Sequence, residues 1–333
     1  MKWKDMRRSR NVDDNRGNSG MGGLGGSGMG SGMGGLGLGR LLQLLFFLPG
    51  KAKWLVLLLI AFMFFGGSGL LTGGPRDNSN TTNNSGYEQS QGDINQANPG
   101  SQTDSTNPND GQAEPKDQGY EYVSAILGST EDFWMEELGR HGKDYNMPRL
   151  SLYSGTTRTS GCGFGTAQAG PFYCPGDQTV YIDLSFMNDL QQKYNAPGDF
   201  AMAYVIAHEV GHHIQNELGI MDEYNRIRNT VSESQANQLN VRLELQADYF
   251  AGAWAKYAQD KGFLEVGDVD EALQAAFAVG DDTIQKEAYG TVVPDSFTHG
   301  SAQQRQAWFK HGFRHGDLEN SDAFGNKLPE ENY

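Results

Sequence analysis

Cysteine is nearly absent from this chain of 333 residues, since Cys162 and Cys174 are the only two. The eleven residues between them do not match the spacing of a zinc knuckle, so metal binding by these two thiolates is the less favoured alternative. In an oxidising compartment we expect the pair to form a disulfide, which would close a short loop worth roughly 3 kcal/mol. Two free, buried cysteines are the expectation if the domain lies in the cytoplasm.

Large apolar side chains are scarce in two stretches of the first third of the chain. Residues 17–40 are mostly Gly, Ser and Met, and residues 77–118 are dominated by Asn, Ser, Gln, Gly and Asp. Neither composition can bury a core. The sequence therefore predicts a basic, Gly-rich cytoplasmic tail over residues 1–53, a disordered linker over residues 72–118 and one folded domain over residues 119–333.

Positive charge is also in short supply. The net charge is −15, and because residues 1–53 carry +6, the remainder of the chain carries −21. Phosphate groups would be repelled by such a surface, so we expect no nucleic-acid partner. Solubility alone is a sufficient reason for the acidic character of the folded domain.

A long run without charge occurs at Trp54–Leu71, which has eighteen residues and follows Lys51 and Lys53. This length is just sufficient for one transmembrane helix. Because the basic residues precede it, we expect a single-pass protein with its tail in the cytoplasm and its domain on the extracytoplasmic side. A cleaved signal peptide is the alternative, since Leu55–Phe65 has the length of a signal-peptide core. The long leader and the lack of a clear Ala-x-Ala site favour the anchor.

The sequence His-Glu-x-x-His occurs once, at residues 208–212. The surrounding apolar pattern predicts a helix from Phe200 to Leu218 that Gly219 ends. Residues four apart lie on one helical face, so His208 and His212 can both point a ring nitrogen at one metal ion. Chance could produce the pattern on a solvent-exposed helix. Here, however, the polar residues interrupt an apolar helix, where an uncompensated cluster would be costly without a cation.

A second helix carries two acids in an apolar stripe. Ser232 begins a capping box, and the helical pattern continues to Gly262. Glu244 and Asp248 lie one turn apart among core residues. We expect Glu244 to be the third ligand of a zinc ion and Asp248 to accept a hydrogen bond from a ligating histidine. A solvent-exposed acidic stripe is the alternative interpretation.

The remaining patterns predict an α+β domain. Short β-prone runs at residues 172–174 and 179–184 flank Pro175 to Gln178, which indicates a hairpin whose second strand is either an edge for an extended peptide or a plain core strand. Further helices are predicted over residues 120–139 and 268–279 and after Ser301, which can cap its helix. A loop residue, His299, and a helical residue, Arg305, could reach into the cleft.

Two motifs resemble those of the gluzincin class of zinc peptidases, namely HEVGH at residues 208–212 and ELQAD at residues 244–248. A wider resemblance, to the bacterial neutral zinc metallopeptidases of the YpfJ type, covers most of the chain. It rests on the start KWKDMRRSRNVDDNRG, the Gly-rich tail, the membrane segment, FYCPGDQTVYIDLSF, AHEVGHHIQN and LELQADYFAGAWA. The segment THGSAQQR at residues 298–305 is similar to the Thr-His-Pro-Ser-x-x-x-Arg signature of membrane-associated gluzincins, with Gly300 in place of the proline.

The resemblance implies a zincin-like domain in which a small sheet packs on the motif helix and the C-terminal part is mostly helical. It implies that His208, His212 and Glu244 bind Zn²⁺, that Glu209 is the general base and that His299 assists the reaction, with Arg305 in the same motif. We therefore expect a metallopeptidase of the bacterial inner membrane that cleaves peptide or protein substrates with a zinc-activated water. The alternative is an envelope binding or assembly module whose zinc is only structural.

Overall fold

The computed structural model describes residues 1–17 and 117–325, which belong to one compact unit. This unit has an α+β architecture that is mostly helical, so the predicted α+β class is confirmed. Its α-helices are α1 (Gln118–Arg140), α2 (Ser185–Gln192), α3 (Asp199–Glu217), α4 (Ile220–Arg228), α5 (Glu233–Asp260), α6 (Asp268–Ala278), α7 (Asp281–Tyr289) and α8 (Ala302–His315).

Two small sheets accompany these helices. Their strands are β1 (Val12–Asp14), β2 (Arg149–Tyr153), β3 (Thr156–Arg158), β4 (Phe164–Thr166), β5 (Phe172–Cys174) and β6 (Thr179–Asp183). The larger sheet has the order β1-β2-β6-β5, in which β1, β2 and β6 run parallel and β5 runs antiparallel to β6. The hairpin predicted from the sequence is thus confirmed. Its second strand, β6, is an internal core strand, and the first strand, β5, lies at the edge.

Local signals placed the main helices correctly. The motif helix α3 ends at Glu217, and Gly219 follows with a left-handed φ of 75°. Capping boxes form at Ser232 before α5 and at Ser301 before α8. In each box the serine side chain accepts the backbone N–H of a glutamine three residues later, and the side chain of that glutamine accepts the backbone N–H of the serine. These caps explain why both long helices begin at the expected residues.

Residues 1–17 do not form a tail separate from the domain, and the structure corrects that part of the sequence analysis. β1 pairs with β2 in the register Val12 to Leu150, and Met6 and Val12 are buried in the main core. The polar composition of the residues that follow concealed this short segment, whose three-residue strand is too brief for a periodic signal. Asp117 and Gln118, which were predicted to end the linker, are the N-cap and the first residue of α1. The other residues predicted to lie in the tail, and residues 72–116 of the linker, fall outside the described ranges.

Two basic residues of this segment, Arg7 and Arg8, make ion pairs with acids of α1. The Arg7 guanidinium lies 2.8 Å from the buried Glu131 carboxylate, and Arg8 lies 2.9 Å from Glu121. Glu131 also accepts hydrogen bonds from Ser9 and Asn11, at 2.6 and 2.8 Å. Because Glu131 is almost fully buried, these partners are needed to offset its desolvation. The positive charges therefore have a role inside the fold.

The centre of the domain is a close packing of α3, α5 and α8. Gly252 of α5 and Gly312 of α8 allow the two helix backbones to touch, since a Cβ added at residue 252 would lie 2.0 Å from the Phe309 carbonyl oxygen. A Cβ at residue 312 would lie 1.9 Å from the Tyr249 carbonyl oxygen. Backbone atoms cannot move aside as a flexible side chain can, so these two positions require glycine.

A Gly252→Ala variant should lower the free energy of unfolding by about 1–3 kcal/mol, because α8 must shift away from α5 to relieve the clash. The measurement is urea unfolding followed by circular dichroism. Gly139→Ala is the matched control, since that helical glycine has open space around its Cβ position. The control should be neutral or should stabilise by up to about 1 kcal/mol. Equal destabilisation by both substitutions would contradict the packing argument.

Within residues 1–17 and 117–325, no helix combines the length and the apolar character needed to cross a membrane. The predicted transmembrane helix at Trp54–Leu71 lies outside these ranges.

Candidate metal centre

Three predicted ligands from two helices converge at one point. His208 and His212 of α3 both direct Nε2 toward Glu244 of α5, at 3.2 Å from Oε2 and 3.6 Å from Oε1 respectively. The two imidazole rings are 4.8 Å apart and nearly perpendicular. The one-turn spacing on α3 thus provides two donors, and the packing of α5 against α3 provides the third.

The spacing of these donors fits a tetrahedral zinc ion. Ligand atoms about 2.0–2.1 Å from zinc at tetrahedral angles lie about 3.4 Å from one another. The observed separations of 3.2 and 3.6 Å bracket that value.

The charges around His208 also favour a bound cation. Burial alone would lower the pKa of His208, but the Asp248 and Glu244 carboxylates outweigh it and raise the pKa to about 9.

Asp248 lies behind His208 and is fully buried. Its Oδ1 accepts hydrogen bonds from His208 Nδ1 at 2.9 Å and from the Tyr204 hydroxyl at 2.5 Å. The Arg305 guanidinium of α8 donates to both carboxylate oxygens, at 2.8 and 2.9 Å. Burial would raise the pKa of Asp248, but Arg305 and His208 hold it below its usual value. The ionised carboxylate fixes the His208 tautomer that presents Nε2 to the metal.

Gln215 serves His212 in the same way, and the sequence analysis did not identify it. Its Nε2 donates to the Leu243 carbonyl oxygen at 2.7 Å, which leaves Oε1 to accept from His212 Nδ1 at 2.9 Å. This arrangement again directs Nε2 of the histidine toward the metal position. Gln215 lies three residues after His212 on α3, and residues at this spacing are neighbours on one helical face. A polar residue at this position could therefore have been predicted to contact His212.

His299 reaches the rim of the site from the loop before α8, and Asp281 of α7 holds that loop. One oxygen of Asp281 accepts the backbone N–H groups of Thr298, His299 and Gly300, at 2.7, 2.6 and 3.0 Å. The other oxygen lies 3.2 Å from His299 Nδ1. Burial would lower the pKa of His299, but Asp281 and the charge of Glu244 raise it above its usual value. Asp281 is a second residue that the sequence analysis missed.

The same contact explains why glycine replaces proline in this loop. Gly300 has a φ of 94°, whereas proline is restricted to about −65°. Proline also lacks the N–H group that Gly300 donates to Asp281. The chain therefore forms the loop with a carboxylate and a glycine, and His299 still lines the cleft.

The metal donors open onto a cleft of about 450 Å³. Glu209 and Arg305 line it together with His208 and His212. Apolar and aromatic side chains form the remaining wall, contributed by Pro171, Phe172, Tyr173, Phe186, Tyr194, Val205, Val279 and Ile284. The cleft therefore combines the charged metal donors on one side with apolar and aromatic side chains on the rest of its wall.

Three further residues, Cys162, Cys174 and His213, lie apart from the donors. Cys162 and Cys174 form a disulfide that joins the loop after β3 to the end of β5. His213 is fully buried. Its ring contacts Tyr173 of β5 and the backbone of Asn146.

Comparison with known proteins agrees with this geometry. The family model described as "Putative neutral zinc metallopeptidase" matches residues 1–324. The chain belongs to this family. The uncharacterized protein YpfJ of Escherichia coli K12 is 42% identical over 332 residues, which cover 98% of this chain and all of that protein. An uncharacterized protein of Mycobacterium tuberculosis is 42% identical over 191 residues, covering 54% of this chain and 63% of that protein. No solved structure matches the chain.

Zinc is the metal that membership of this family implies, and the donor set suits it. Two imidazoles and one carboxylate are the ligands of catalytic zinc sites that keep one position free. Within the part of the chain that the structure describes, His208, His212 and Glu244 are the donors gathered at this point. The site is thus a three-ligand site facing a cleft.

Proposed function

We propose that this protein is a zinc peptidase that hydrolyses peptide bonds in extended polypeptides of the cell envelope. The observation that carries the proposal is that the three metal donors face the cleft, which Glu209 and His299 also line. Structural zinc sites are usually closed by four protein ligands, whereas catalytic sites leave room for water and substrate. The zincin-like arrangement of a small sheet beside the motif helix supports the same conclusion.

Each residue of the cleft has a chemical task in this reaction. His208, His212 and Glu244 would hold the zinc ion, which would supply Lewis acidity to the attacking water and to the scissile carbonyl. Glu209 takes the proton from the attacking water and delivers it to the leaving amine. His299, whose raised pKa favours the protonated form, donates a hydrogen bond to the developing oxyanion. Asp281 aims that imidazole by accepting from its Nδ1.

We further propose that the protein is attached to the bacterial cell membrane through Trp54–Leu71 and that its zinc site faces the extracytoplasmic side. The uncharged apolar stretch supports the attachment. The disulfide between Cys162 and Cys174 supports an oxidising compartment, because such bonds are rare in the cytosol.

The test is metal removal and return on the full-length protein in detergent. We expect one zinc per chain by mass spectrometry and cleavage of casein, an unfolded protein substrate. A chelator such as 1,10-phenanthroline should abolish cleavage, and zinc rather than magnesium should restore it. Full zinc occupancy without hydrolysis of casein or of a random peptide library would contradict the proposal and favour an envelope binding module.

A further inference from the structure

Strand β5 lies at the open edge of the larger sheet and borders the cleft. The strand order β1-β2-β6-β5 leaves one side of β5 without a neighbour among the described strands. Phe172 and Tyr173 of β5 line the cleft together with the metal donors. An extended peptide in the cleft therefore lies between β5 and the zinc ligands. Their relative position decides which peptide bond meets the metal.

His213 links β5 to the helix that carries the zinc ligands. The Tyr173 hydroxyl is 3.0 Å from His213 Nδ1, and His213 Nε2 is 2.6 Å from the Asn146 carbonyl oxygen. A carbonyl can only accept, so Nε2 carries the proton and Nδ1 accepts from the tyrosine hydroxyl. The two rings are 5.5 Å apart in an edge-on contact. One buried imidazole thus joins α3, β5 and the loop before β2.

His213 directly follows His212 on α3. Consecutive helical residues point about 100° apart, so this turn directs one imidazole at the metal and the next at the edge strand. Neither His213 nor the Tyr173 hydroxyl is among the metal donors. The contact between these two side chains therefore connects the edge strand to the metal-binding helix without contributing a ligand.

We infer that His213 is a positioning residue that, through Tyr173, fixes the register in which an extended peptide crosses the zinc ion. This inference rests on the proposed peptidase function and names the element that selects the cleaved bond. It differs from a role in stability alone, because a residue that only fills the core would leave the choice of bond unchanged.

The test compares Tyr173→Phe and His213→Phe, which remove the hydrogen bond and keep an aromatic ring. Both variants should retain one zinc per chain and lose about 10- to 100-fold in kcat/KM on a peptide substrate, since small misplacements have effects of that size. The double variant should be no worse than the worse single variant, because the two residues act as a pair. The bonds cleaved in casein should also shift. Tyr181→Phe is the control, since Tyr181 lies on β6 and its hydroxyl donates to Asp177 in the turn between β5 and β6.

A binding measurement separates this inference from the peptidase proposal. A tripeptide hydroxamate contacts both the zinc and the strand, whereas acetohydroxamate contacts the zinc alone. Tyr173→Phe should weaken the tripeptide hydroxamate about 10-fold and leave acetohydroxamate unchanged, whether or not the protein hydrolyses casein. Equal weakening of both compounds, unchanged binding of both, or an unchanged cleavage pattern at parental kcat/KM would overturn the positioning role.

Discussion

A Glu209→Gln variant should keep its zinc and lose about 10²- to 10⁴-fold in kcat for peptide hydrolysis, the range that general acid–base catalysis contributes. Glutamine has nearly the same shape but cannot take the proton from water. Glu209 lines the cleft beside both histidine ligands, and its carboxylate is not one of the gathered metal donors. The substitution can therefore lower kcat without lowering the zinc content.

Zinc content by mass spectrometry and initial rates on a fluorogenic peptide provide the readouts. Glu223→Gln is the control, because Glu223 lies on α4 and pairs with the exposed Arg226 outside the cleft. The control should have parental activity. If Glu209→Gln kept the activity of the parent, Glu209 would not be the general base, and the proposed mechanism would be wrong.

An Asp248→Asn variant should have the largest effect on stability. The Arg305 guanidinium, which is almost fully buried, would lose its ionised partner, and such a loss costs about 3–5 kcal/mol. Zinc affinity should also fall about 10- to 100-fold, because His208 Nδ1 would lose the carboxylate that orients it. Since the pKa of Asp248 lies below its usual value, this stabilisation is present at neutral pH and is lost as the pH falls through the folded-state pKa.

Urea unfolding and zinc titration against a fluorescent chelator measure the two effects. The double variant Asp248→Asn/Arg305→Met separates them, because it removes the unpaired charge without restoring the orienting carboxylate. Stability should then recover in part, while zinc affinity stays weak. If the free energy of unfolding of Asp248→Asn lies within about 1 kcal/mol of the parent value, the Asp248 carboxylate does not stabilise the buried Arg305 as described.

The sequence predicted the residues whose partners are local or share a helix. His208 and His212 follow from one helical turn, and the acids Glu244 and Asp248 were noticeable because they interrupt an apolar stripe. The α+β class and the long helices could likewise be predicted from periodicity and from caps at Ser232 and Ser301. Such signals need only a few neighbouring residues.

Residues whose partners are distant in the chain could not be predicted in this way. Gln215 acts because α5 supplies a carbonyl for its amide, and Asp281 acts because a loop seventeen to nineteen residues later folds back onto it. The pairing of β1 with β2 joins segments more than 130 residues apart and involves three residue pairs. Composition and periodicity contain no information about such long-range contacts.

The packing of residues 1–17 onto the domain constrains the topology of the protein at a membrane. Arg16 and Asp117, on either side of residues 18–116, are joined by an ion pair of 2.7 Å. A single crossing at Trp54–Leu71 would place about 30 Å of hydrocarbon between these two residues. An attachment through Trp54–Leu71 that keeps this ion pair intact has to leave residues 1–17 and the domain on the same face of the membrane. We therefore expect the amino-terminal segment and the zinc site to share one aqueous compartment.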